Sequence, residues 1–192
     1  MQKKRLIVVE GFDRAGKDSL LDDLEKISSL MPKTVVMRNN LEGMPKYDKE
    51  QDDFLSWLDK FIDAQIEEIE KLAMQNDTII MARFLISDEV YSTLFNRKHT
   101  VKPKLSKLPV GMEVHNYIIL FESYKEYIDR IKMVEGNEYV AQYSEDEFNE
   151  LNHLYCSNIN AECNADKLVF LKASTTRLSL LVDFITRTYI GD

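Results

Sequence analysis

Ten residues, Glu10-Gly11-Phe12-Asp13-Arg14-Ala15-Gly16-Lys17-Asp18-Ser19, have the types and spacing to do chemistry. Gly11 and Gly16 let the backbone curl until successive N–H groups point at an anion, and Lys17 adds a point charge where a nucleotide's β- and γ-phosphates would lie. The apolar run Leu6-Ile7-Val8-Val9 precedes the loop, and Leu20, Leu21, Leu24 and Ile27 follow at helical spacing. The order is therefore strand, glycine-framed loop, lysine, helix, the arrangement that wraps phosphates. A tight turn with incidental glycines would leave Lys17 unexplained. The usual pattern places Ser or Thr after the lysine; here that place is Asp18, and Ser19 comes one residue late.

Elements that could position such a loop alternate along the chain. Apolar runs predict strands near Leu6–Glu10, Thr34–Arg38, Thr78–Ala82, Tyr117–Phe121 and Leu168–Leu171. Stretches of 3.6-residue period between them predict helices at Lys17–Leu30, Gln51–Met74, Ser87–Phe95, Tyr124–Met133, Glu145–Asn160 and Thr175–Tyr189. This alternation predicts an α/β fold around a parallel sheet, with residues 1–192 as one domain. Arg97 to Pro109, basic and proline-punctuated, reads as a solvated loop, and Val134 to Tyr143 as a lid.

Composition narrows the classes. With 44% hydrophobic and 30% charged residues, the 192-residue chain is an ordinary globular protein with enough length for a full core. A net charge of −8 argues against a nucleic-acid partner, which would need a basic face. No apolar run is long enough to cross a bilayer and the first residues carry no signal-type stretch, so no membrane association and a cytoplasmic location are expected. Cys156 and Cys163 lie on one helical pattern, roughly 10 Å apart along the axis, too far for a disulfide. His99, His115 and His153 show no metal-ligand spacing.

With the loop, the third-strand end and the lid placed, nearly the whole chain resembles the thymidylate kinases, a branch of the P-loop nucleoside monophosphate kinases. Glu10 to Lys17 looks like the family's E-G-x-D-x-A-G-K loop, and Arg14 is similar to the catalytic arginine that some members keep there. Ala82-Arg83-Phe84-Leu85-Ile86-Ser87, followed by Val90-Tyr91, is similar to D-R-(Y/F)-x-x-S with a downstream aromatic. Leu171-Lys172-Ala173-Ser174 resembles, more weakly, the loop that faces the adenine.

The resemblance implies a three-layer α/β/α fold with a five-stranded parallel sheet, a small lid at about 134–145, and transfer of the γ-phosphoryl of ATP to a deoxynucleoside monophosphate, dTMP above others, with Mg2+. It implies that Gly11, Asp13, Arg14, Ala15, Gly16, Lys17, Asp18, Ser19, Lys172 and Ala173 contact ATP, and that Arg14, Lys17 and Arg83 carry the transfer. Asp13, Arg38, Trp57, Arg83, Ser87 and Tyr91 would hold the acceptor: Asp13 at the 3′-hydroxyl, Arg38 and Arg83 at the phosphate, Trp57 on the base, Tyr91 against the sugar. A homodimer is the family's habit.

Physics supports these types, because phosphoryl transfer needs in-line positioning and positive charge on the equatorial oxygens. Each also has a plainer role: a structural salt bridge for Arg38 or Arg83, core packing for Trp57 or Tyr91. The magnesium site departs from the family, since the loop hydroxyl is Asp18 and the strand acid is Ala82. One reading is that the carboxylate has crossed from one side of the ion to the other, with Ser19 and Glu10 as further candidates at the ion. Two alternatives stand beside it: a deoxynucleoside kinase acting on the free nucleoside with Glu10 as base, and a nucleotide-binding protein that transfers nothing.

Overall fold

A computed structural model of the chain describes residues 3–39, 41, 44–45, 51–97, 104, 106–136, 142–157 and 167–172, with backbone alone at 51, 167–170 and 172. The expected helix Thr175–Tyr189, Ala173, the side chain of Lys172, His99, Cys163 and the middle of the lid (137–141) lie outside the described residues.

The strands β1 (Arg5–Gly11), β2 (Thr34–Val36), β3 (Thr78–Ala82), β4 (Glu113–Leu120) and β5 (Lys167–Lys172) form one sheet in the order β2-β3-β1-β4-β5, every pair parallel. Around it run α1 (Lys17–Ser28), α2 (Gln51–Ala73), α3 (Leu85–Leu94), α4 (Tyr124–Glu135) and α5 (Glu145–Ser157). Because β1 is central and covered on both faces, it reads as a continuous apolar run. Its side chains still alternate. Ile7 and Val9 enter a core built with α1, α3, α4 and α5, whereas Leu6 and Val8 enter a second core under α2. Those two cores are the layers of an α/β/α sandwich, as the alternating sequence pattern predicts. No helix among the described residues is long and apolar enough to cross a membrane.

Boundaries moved where long-range partners intervene. The fourth strand starts at Glu113 rather than Tyr117, because Val114, His115 and Asn116 are buried beside β1 despite their mixed polarity. The third helix starts at Leu85 rather than Ser87, because the Phe84 N–H at its start donates to Glu10 Oε1 at 3.0 Å, a cap supplied from another element. Helix α1 ends at Ser28, short of Leu30, which is exposed. Among the described residues of the expected solvated loop, two lysines are held on α2: Lys104 is buried with Nζ 2.8 Å from both Asp59 and Asp63, and Lys107 reaches Asp63 at 2.8 Å. The acidic outer face of α2 recruits them.

Candidate active site

The loop between β1 and α1 is built by backbone geometry that only some residues adopt. Gly11 has φ +122, and a Cβ there would stand 2.1 Å from the Ile119 carbonyl oxygen of β4, so the strand pair can close only over glycine. Gly16 takes the left-handed conformation at the cap of α1, and Arg14 takes it too, at φ 63. Lys17 is almost fully buried and donates to the carbonyls of Phe12 and Gly11, the latter at 2.7 Å. Burial, reinforced by the nearby Arg83, lowers its pKa to about 8.

Arg83 follows β3, where open parallel sheets place ligands. Its backbone is left-handed, φ 59, a conformation that costs energy for a residue with a Cβ. Three bonds hold it there: its N–H donates to Val9, and its carbonyl accepts from Asn39 at 3.1 Å and Gln65 at 3.4 Å. Its guanidinium meets the Asp18 carboxylate as a fork, Nη1 to Oδ1 at 3.0 Å and Nη2 to Oδ2 at 3.2 Å, with Nε 3.8 Å from Asp13. Burial works against the Asp18 charge, but the Arg83 fork outweighs it and holds the carboxyl below its usual range.

These residues share one cleft of about 390 Å³: Asp13, Arg14, Gly16, Lys17, Asp18, Ser19 and Arg83 line it. Arg130, which the sequence did not single out, and Val134 and Gln142 from the two ends of the expected lid complete the wall. Arg130 Nε donates to the Arg14 carbonyl at 3.4 Å, and the Arg14 guanidinium pairs with Glu135 at 2.7 Å. Gln142 Nε2 and the Tyr143 hydroxyl donate to Asp13 at 3.4 and 3.3 Å, tying the far end of the lid segment to the loop. The signal for Arg130 was in the sequence, an arginine one turn before the lid; Gln142 and Tyr143 fall in the expected lid, but nothing local marked their bonds to Asp13.

Other expected site residues are placed elsewhere. Glu10 is fully buried, accepting from Phe84 N–H and the Ser87 hydroxyl, and burial raises its pKa. It is not on the cleft wall, so the structure does not bring Glu10 to the place expected for a metal ion. Ser87 serves the same buried cluster, 3.2 Å from the hydroxyl of Tyr155, which itself donates to the Gly11 carbonyl at 3.1 Å. Arg38 is not brought to the cleft: Asp22 and Glu25 of α1 hold it at 2.7 and 2.8 Å, two nearby carboxylates outcompeting a longer reach. Trp57 packs face to face on Phe61, ring centres 4.8 Å apart, at the edge of the α2 core. Tyr91 is not among the residues that line the cleft, and its ring stacks on Tyr143 with centres 6.4 Å apart.

Cations outnumber carboxylates on this wall, Arg14, Lys17, Arg83 and Arg130 against Asp13 and Asp18, in a protein of net charge −8. Such focused positive charge suits a polyanion. Among the described residues no group of three or more His, Cys, Asp or Glu gathers to cage a metal. Asp18 and Ser19, hard oxygen donors on the cleft wall, do fit Mg2+, which takes one or two protein oxygens and completes its shell with phosphate and water.

Comparison with known proteins places the fold. No family profile matches the sequence, and no curated protein matches it. Solved structures do. The thymidylate kinase of Candida albicans superposes with a TM-score of 0.63 at 14% identity, over 99% of this chain and 94% of that one. A deoxyadenosine kinase from M. mycoides, solved with bound dCTP, gives 0.58 at 17% identity, over 94% and 98%. The thymidylate kinase of Ehrlichia chaffeensis gives 0.53 at 16%, over 98% of each chain. The chain thus has the fold shared by these thymidylate kinases and the deoxyadenosine kinase, with the β1–α1 loop, Lys17 and Arg83 brought to one cleft.

Proposed function

We propose that this protein transfers the γ-phosphoryl of ATP to a deoxynucleoside 5′-monophosphate, with dTMP as the favoured acceptor. One observation carries the reading: Lys17, with Asp13, Arg14 and Gly16 of its loop, and Arg83 at the β3 end line one cleft. The loop, with Ala15 and Gly16 ahead of Lys17, would hold the donor phosphates, and Arg130 adds a cation on that side. Arg14 would follow the phosphoryl group as it moves, and Arg83 would clamp the acceptor phosphate with its planar fork. Mg2+, held by Asp18 or Ser19, would neutralise charge on the transferring phosphates. Asp13, on the cleft wall, would face the sugar, and Lys172 with Ala173 the adenine. A cytoplasmic homodimer accompanies this reading.

A free nucleoside as acceptor is the second reading, motivated by the deoxyadenosine kinase fold. It needs a base at the 5′-hydroxyl, and burial with both oxygens engaged counts against Glu10 in that role. Incubating the protein with ATP, Mg2+ and each deoxynucleoside monophosphate, or thymidine, and resolving products by anion exchange decides among the readings. ADP with dTDP is expected. Turnover of thymidine alone would favour the nucleoside kinase, and binding without any turnover would leave a nucleotide-binding protein.

A further inference from the structure

We infer that Asp18 is the resident counter-ion of Arg83, occupying the fork that an acceptor's phosphate must take, and that a divalent cation arriving with the donor nucleotide draws it away. The inference rests on the reading above and adds a coupling to it. The carboxylate missing at Ala82, beside Arg83 in sequence, is supplied instead by Asp18 from the first turn of α1, sixty-five residues away. The paired contacts at 3.0 and 3.2 Å are the geometry that two phosphate oxygens would use.

The two partners are unequally free to move. Arg83 is pinned by its N–H on Val9 and by Asn39 and Gln65 on its carbonyl, and its side chain is 33% exposed. Asp18 is 67% exposed. With the Arg83 backbone fixed and its side chain the more buried of the two, an incoming phosphate displaces the more exposed carboxylate. Once displaced, Asp18 stands next to Lys17, beside the donor's phosphates, where like charges repel unless a divalent cation lies between them. The same carboxylate thus serves Arg83 or the metal, and acceptor affinity rises when the metal–nucleotide complex binds.

The test is calorimetric titration of the whole protein with dTMP, thymidine and inorganic phosphate. Each titration is made with and without Mg2+ plus a non-hydrolysable ATP analogue. Wild type, Asp18→Asn, Arg83→Gln and the double variant form a cycle, and Asp18→Ser repeats the first change with a hydroxyl. Without metal or analogue, Asp18→Asn is expected to bind dTMP about tenfold more tightly than wild type, with thymidine unchanged. The analogue with Mg2+ should strengthen dTMP binding to wild type by a similar factor and leave Asp18→Asn unmoved.

Mere removal of negative charge would keep the gain in the Arg83→Gln background; its persistence there overturns the inference, as does an Asp18→Asn that binds dTMP no better than wild type. If dTMP binds none of the proteins while Asp18→Asn gains phosphate affinity only when Arg83 is present, the acceptor assignment fails and the counter-ion role stands. If phosphate shows no such gain either, the counter-ion role fails.

Discussion

Lys17 keeps its ammonium in almost complete burial, against two carbonyls of its own loop. That cost appears as a pKa of about 8 in place of 10.5. The folded protein therefore releases this proton before the unfolded chain does. Between about 8 and 10.5 the unfolded state binds more protons, so this group makes stability rise with pH across that window and contributes no slope below it. Phosphate binding should move the other way, weakening as the ammonium discharges above about 8. Lys17→Met is expected to remove both slopes, read by urea denaturation and ATP-analogue titration from pH 7 to 10, and to lower turnover by about a hundredfold or more.

At the scale of elements, the loop is held by groups that do not line the cleft. Glu10 of β1 caps α3, Ser87 of α3 donates to Glu10, and Tyr155 of α5 reaches the Gly11 carbonyl. Ser87→Ala would leave a buried carboxylate one donor short and is expected to cost about 1–3 kcal/mol in urea denaturation. Gly11→Ala meets a harder wall. Gly11 and Ile119 are register partners in the β1–β4 ladder, so neither strand can retreat without breaking its neighbours. A loss above about 4 kcal/mol is expected, seen as insoluble expression or a collapsed Tm. The helices flanking the lid begin more locally: Ser144 and Glu147 exchange bonds as a capping box at α5, and Ser123 caps α4.

Across the whole molecule, the cleft is walled on one side by Arg130 and Val134 of α4 and by Gln142 ahead of α5. The Arg14–Glu135 pair bridges loop and helix at 2.7 Å, with side chains 50% and 33% exposed. A pair so open to water contributes little to stability. It does hold a cleft arginine on a carboxylate that a triphosphate would have to replace. Glu135→Gln is therefore expected to leave the urea midpoint within about 1 kcal/mol of wild type while tightening ATP-analogue binding a few-fold in calorimetry. A larger stability loss with unchanged affinity would make the pair a structural brace.

The sequence by itself determined the layers and the loop, since both depend on neighbours in the chain. Alternation of apolar runs and 3.6-period stretches sets which faces must be covered, and ten consecutive residues suffice to turn a strand through two glycines into a helix. Arg83 was readable for the same reason, lying directly beyond a strand end. Tertiary structure decided the pairing of charges. Arg38 sits on Asp22 and Glu25, Glu10 turned inward to cap α3, and Asp18 found Arg83 instead of open solvent. An ionised side chain settles on whichever partner best offsets the water it gives up, and that choice exists only after the sheet has brought distant segments together.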